Sequence, residues 1–240
     1  MPFPTEPYLY REDAPHVGPH RPLSQGDVFV DIPLVGGAQP DARHDGVWRA
    51  RARTGLGLFV THPCGSRSST TYRLHEFVSV APVVKCPATW GAPWDGHYDL
   101  APLPGLRNGE DYVAKLSEAC PVPTTALADH RIAVLATEGL VAIFHRLAMN
   151  SLRFPETPTH YTTEAARVTH EIDLWERWIA KRGTEDGFQA WLDEPFGGQP
   201  REDSEGELIE GSGKPTGQIR RAVLAWNYEE LRDELDAELT

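Results

Sequence analysis

The spacing of apolar residues divides the chain into a strand-forming front and a helix-forming back. Asp27-Val28-Phe29-Val30-Asp31-Ile32 is short, β-branched and aromatic, and it stops at Pro33, which predicts a strand. Val35-Gly36-Gly37 and the polar run to Gly46 read as a loop. From Val47 to Arg53 the pattern alternates and places Arg49, Arg51 and Arg53 on one face, because successive side chains of a strand point to opposite sides. Leu56 to Thr61 and Phe77 to Val84 are further apolar runs, and Tyr112 to Leu116 and Ile132 to Leu135 add two short ones. Strands separated by turns at such intervals predict a small barrel or sandwich.

Behind Ala136 the period changes. Thr137 caps a predicted helix whose Leu140, Ile143, Phe144 and Leu147 form one stripe. A second helix is predicted from Thr162 or Thr163, with Glu164 in its first turn and Val168, Ile172, Trp175 and Ile179 along one face. Lys181 and Arg182 fall in its last turn, and Gly183 supplies the left-handed stop. Phe188 to Leu192 reads as one or two more turns.

The segments between and around these elements are rich in breakers. Residues 1–23 hold six prolines and read as an extended arm, lying on its own domain or reaching a neighbour. Residues 86–109 read as a long loop with Trp90, Trp94 and Tyr98 embedded in it, a length that is uncommon without a functional reason. Residues 195–240 form an acidic linker and then an amphipathic helix in which Leu231, Leu235 and Leu239 recur every four residues. The organisation predicted is therefore an arm (1–23), a β-domain (24–135), a helical segment (136–194) and an acidic arm (195–240), an α+β protein.

Charge sharpens this picture. The net charge of the 240-residue chain is −12. Residues 1–184 contribute −2 of it and residues 185–240 contribute −10. Repulsion of phosphates argues against nucleic-acid binding by the intact chain, but hardly by the β-domain. The start of the chain shows neither a basic flank nor an apolar run, and no stretch approaches the length of a membrane span. Three cysteines (Cys64, Cys86, Cys120) form no disulfide framework. The expected location is the cytoplasm, or a virion for a phage-encoded chain.

The first strands also carry a resemblance. Ser24-Gln25-Gly26-Asp27-Val28-Phe29-Val30-Asp31-Ile32-Pro33 resembles the "GD-I/V-x-x-V-D" opening of PemK/MazF-like proteins. Leu58-Phe59-Val60-Thr61 looks like their second strand, and Val80-Ala81-Pro82-Val83-Val84 looks like their "V-x-P-V/I-T" strand. The similarity spans residues 24–85 and implies a small SH3-like β-barrel, followed here by the helical segment and flanked by extended N- and C-terminal arms. In that family such barrels form toxin endoribonucleases that dimerise and cleave RNA without a metal. Two positions depart from the pattern: Gly55-Leu56 stands where the family has Arg-Pro, and Val84 where it has Thr. Cleavage needs a cation for the developing phosphorane charge and a group to move protons. Arg51 or Arg53 can substitute for the first, and His62 or His75 for the second.

Other chemistry is thinner. His62, Cys64, His75 and Cys86 can all bind zinc, but their spacings match no standard finger or ribbon, so free cysteines and surface histidines are expected. No cofactor is expected. Arg49, Arg51 and Arg53, with Arg67 and Arg73, suit RNA, the chain's own acidic tail or an acidic partner, and the charge balance favours a protein. The expectation is a non-catalytic assembly protein, such as a structural subunit of a phage or another large complex. Its contacts to other chains, self or hetero, would use Arg49, Arg51, Arg53, Trp90, Trp94, Leu231, Leu235 and Leu239. A diverged endoribonuclease is the alternative.

Overall fold

The computed structural model describes residues 9–11, 20–41, 43, 45–46, 48–67, 73–86, 97–152, 158–192 and 219. Two compact units form, residues 1–17 with 23–165, and residues 18–22 with 166–240. The described residues build a mixed α+β protein with seven strands and three helices longer than one turn: β1 (Asp27–Pro40), β2 (Trp48–Phe59), β3 (Phe77–Lys85), β4 (Leu100–Arg107), β5 (Glu110–Lys115), β6 (Cys120–Pro123), β7 (Arg131–Val134), α1 (Thr137–Leu152), α2 (Pro158–Arg182) and α3 (Phe188–Leu192). No helix among them is long and apolar enough to cross a membrane.

All the strand pairs are antiparallel. The order is β4-β5-β3-β2-β1-β7, with β6 on β3. One edge of β3 is taken by β2. The other is shared, β6 taking Phe77 to Val80 and β5 taking Val83 to Lys85. Strands β4 and β7 end the ladder without pairing to each other, so the described sheet is open rather than closed into a barrel.

The core is set by two irregularities in β1. Phe29 pairs Gly57 and Ile32 pairs Gly55, so β1 carries one extra residue there. Asp31 takes a left-handed backbone at φ 55° within this bulge, a conformation that aspartate tolerates better than most side chains. The extra residue brings Phe29 and Ile32, three apart, to one face. They bury there with Leu34, Phe59, Val78, Val80, Cys120, Val122 and Leu127. A second bulge falls at Gly36-Gly37, between Val35 and Ala38.

The Gly26-Asp27 motif has a structural role. Gly26 sits at φ +90°, and a Cβ there would meet Leu140 Cδ2 at 2.6 Å. Asp27 is fully buried, bonds Arg131 Nη1 at 2.9 Å and accepts from the Ser24 amide at 3.0 Å. This carboxylate thereby fixes the start of β1 to the start of β7.

Several expectations change. Strand β1 runs on to Pro40 where a loop was expected from Val35, because the paired β2 carries it there. Residues 100–107, inside the expected long loop, form β4 despite Pro102 and Pro104. A strand paired on one side only tolerates residues that cannot donate, and among the described residues β4 pairs only β5. Asn108 and Gly109 turn the β4–β5 hairpin with φ 55° and 70°, the left-handed pair of a type I′ turn. Part of the N-terminal arm lies on its own domain: Arg11 donates to Val134, Ala136 donates to the carbonyl of Leu9, and Leu9 is buried. Helix α2 begins at Pro158, ahead of the expected Thr162, since proline's missing amide costs nothing in a first turn.

The second unit is held by aromatic packing. Trp175 stacks on Phe188 at 5.1 Å between centroids, and Trp178 and Trp191 lie 5.4 Å apart. Gly183 ends α2 at φ +71°, its amide donating to Ile179 at 2.8 Å, as its sequence position predicts. Arg21 reaches Glu176 at 3.4 Å.

Candidate functional site

Past its first bulge the β1–β2 pair outruns the sheet. Strand β3 stays beside β2 only from Leu56 to Phe59, and β7 stays beside β1 only from Asp27 to Phe29. Beyond those points, among the described residues, β1 and β2 continue as a two-stranded ribbon. Strand β2 has no bulge, so Phe59, Gly57, Gly55, Arg53 and Arg51 lie on one face. Phe59 is in the core. A Cβ at Gly57 would run into Val80 and would meet Ile32 at 2.6 Å, and one at Gly55 would meet Leu34 at 3.1 Å. The two arginines occupy the same face where the core has ended.

There the ribbon borders a cleft of about 900 Å³. One wall is Leu34 to Gly37 with Arg51 to Arg53, Pro82 contributes from β3, and the opposite wall is Lys115 with Ser117 to Pro121. Lys115 and Glu118 pair at 2.6 Å across one 3-10 turn and cancel each other's charge. Arg51 and Arg53 have no ion pair among the described residues. The cleft is therefore cationic on its ribbon wall and close to neutral on the other, with the apolar Leu34, Pro82 and Pro121 between.

The candidate residues divide. Arg51 and Arg53 come together in the cleft, while Arg49 pairs with Asp41 at 2.7 Å and lines none of it. His62 is elsewhere: its ring centroid lies 6.0 Å from that of Phe144, and Nε2 is 3.8 Å from Glu164. His75 is exposed, its amide donating to Ser66 and its carbonyl accepting from Thr124. Neither histidine joins the arginines, so the expected arginine–histidine constellation does not assemble. Arg67 is buried and donates to the Leu23 carbonyl at 3.2 Å, so it adds nothing to the basic face.

Among the described residues no group of three or more His, Cys, Asp or Glu is placed to hold a metal. The Cys64 side chain lies outside those residues; Cys86 is a half-buried free thiol whose pKa is pushed up, first by burial and then by Asp111. Trp90, Trp94, Leu231, Leu235 and Leu239 also lie outside the described residues. Tyr98, from the same stretch as the tryptophans, packs under the Arg146 guanidinium at 5.7 Å.

Lys115, Ser117, Glu118 and Cys120 are cleft residues that the sequence pattern did not single out. They follow one another through a 3-10 turn into a four-residue strand, which has no periodicity long enough to read. No family model matches the chain, and no curated protein matches it.

Proposed function

We propose that this chain is a non-catalytic interaction and assembly module that holds an acidic segment of a partner protein in the ribbon cleft. The observation that carries it is the placement of Arg51 and Arg53 at alternate positions of one strand, lining a cleft of about 900 Å³. An opening of that size suits a peptide-sized ligand. Guanidinium groups hold carboxylates through paired, charge-assisted hydrogen bonds. The same proposal includes the PemK/MazF-like kinship and a partly open SH3-like roll, supported by the β1-β2-β3 meander with β7 returning to β1. A cytoplasmic or virion setting and a place in a phage or other large complex belong to it as well.

Titration of the full-length protein with an acidic synthetic peptide tests this reading. Binding that weakens with salt and is lost in Arg51→Gln/Arg53→Gln supports it; binding indifferent to both changes overturns it.

The convergence of two arginines in a concave site also favours a second reading, the diverged endoribonuclease. Glu118, not either histidine, would then be the group in the cleft able to move a proton, with Arg51 and Arg53 stabilising phosphorane charge. Cleavage of a generic RNA by purified protein, abolished by Glu118→Gln, would establish it. RNA left intact by active-site-replete protein removes it.

A further inference from the structure

The ribbon that borders the cleft also has an unpaired strand edge among the described residues. One edge of β2 is bonded to β1 along its length, and the other to β3 from Leu56 to Phe59 only. From Arg49 to Gly55 no described residue pairs with that second edge. Backbone amides and carbonyls along that edge are a template for one more strand. The far wall, Ser117 to Pro121, lines the same space without pairing to β2.

We infer that the acidic partner segment binds by strand addition: it extends the sheet on the open edge of β2, antiparallel or parallel to Arg51–Gly55, with carboxylates at alternate positions facing Arg51 and Arg53. Directly opposed residues on neighbouring strands lie about 5 Å apart on the same face, and side chains two residues apart share that face about 7 Å from each other. An extended chain with an acid at every second position therefore meets both guanidiniums at once. A helical segment of the same charge brings its acids round at a different period. The inference rests on the acidic-partner reading and adds its geometry.

Other features carry less. Residues 9–11 already cover β7. Pro102 and Pro104 remove donors from β4. The exposed Phe77 on β3 has no charge pattern beside it to say what would cover it.

The test uses the full chain and three synthetic peptides of identical composition, read by calorimetry and by amide exchange. One alternates glutamate and threonine. The second clusters its glutamates at one end. The third is the alternating peptide with alternate backbone amides N-methylated on the pairing edge. The alternating peptide is expected to bind at least about tenfold tighter than either of the others. It is also expected to slow exchange at Arg51–Gly55, with both effects lost in Arg51→Gln/Arg53→Gln. Equal binding by all three peptides, still dependent on the arginines, overturns strand addition and leaves the acidic-partner reading standing. Failure of all three to bind, or binding that ignores the arginines, overturns both. So does an RNA oligonucleotide that binds tighter than the alternating peptide through the same two side chains.

Discussion

The two halves of β2 share one strand, one face and one regular period, yet they do opposite things. Toward Phe59 the face closes against Ile32, Leu34 and Val80, and glycine stands at 55 and 57 because those side chains fill the space a Cβ would need. Toward Arg51 neither β3 nor β7 runs alongside the ribbon, and the same positions carry cations beside a cleft. A strand's chemistry thus follows from what lies across from it more than from its own propensity. A change on the inner half is a stability change. A change on the outer half is expected, on the proposed reading, to alter binding and to leave folding alone.

That contrast yields a graded series. Phe59→Ala opens a cavity in the core and is expected to cost about 3–5 kcal/mol in urea unfolding; a smaller loss would mean the inner half packs less tightly than its contacts imply. Gly57→Val forces atoms into Val80 and Ile32 and is expected to cost about 1–3 kcal/mol. Arg53→Ala, two turns of the pleat away on the same face, should shift stability by no more than about 0.5 kcal/mol while weakening acidic-peptide binding. A core-like loss of stability there would abolish the distinction between the halves. The Arg49–Asp41 pair is mostly solvent-exposed at the arginine, and Arg49→Ala is expected to change stability by less than about 0.5 kcal/mol.

The pH response sharpens the same contrast, because guanidiniums do not titrate in the working range. His145 does. Burial first, and the Arg146 charge second, hold its pKa below the ordinary 6.5. The fold favours neutral imidazole, so the unfolded chain takes up the proton first as pH falls. This contribution is fully present above 6.5 and is lost as pH falls from that value through the lower pKa of the folded state. His145→Gln should flatten the slope of unfolding midpoint against pH in the interval just below 6.5, and Arg53→Ala should leave it unchanged.

Part of this architecture was legible in the sequence. Alternation over Arg49, Arg51 and Arg53 placed the arginines on one face, and Gly183 marked the end of α2, because both signals are local. The β4–β5 hairpin was missed although Asn108-Gly109 announces it, since Pro102 and Pro104 outweighed it and the edge position that excuses prolines is a tertiary fact. The bulge at Asp31 was equally invisible: only pairing with β2 reveals the extra residue. The cleft was half legible. Its ribbon wall follows a period, while Lys115 to Pro121 reach it through a 3-10 turn and a strand too short for any period. The histidines failed for a related reason, as residue type says what a side chain can do but not which element carries it where.

The buried pair between Asp27 and Arg131 joins residues 104 positions apart. At a synthesis rate of about 5–20 residues per second, the ribosome delivers the arginine roughly 5–20 s after the aspartate. Through that interval β1 and β2 can form their local hairpin, but β7 does not yet exist and the carboxylate has no burial to enter. Pairing of β7 to β1 is thus timed by translation. Until then the edge of β1 that β7 will occupy stays open.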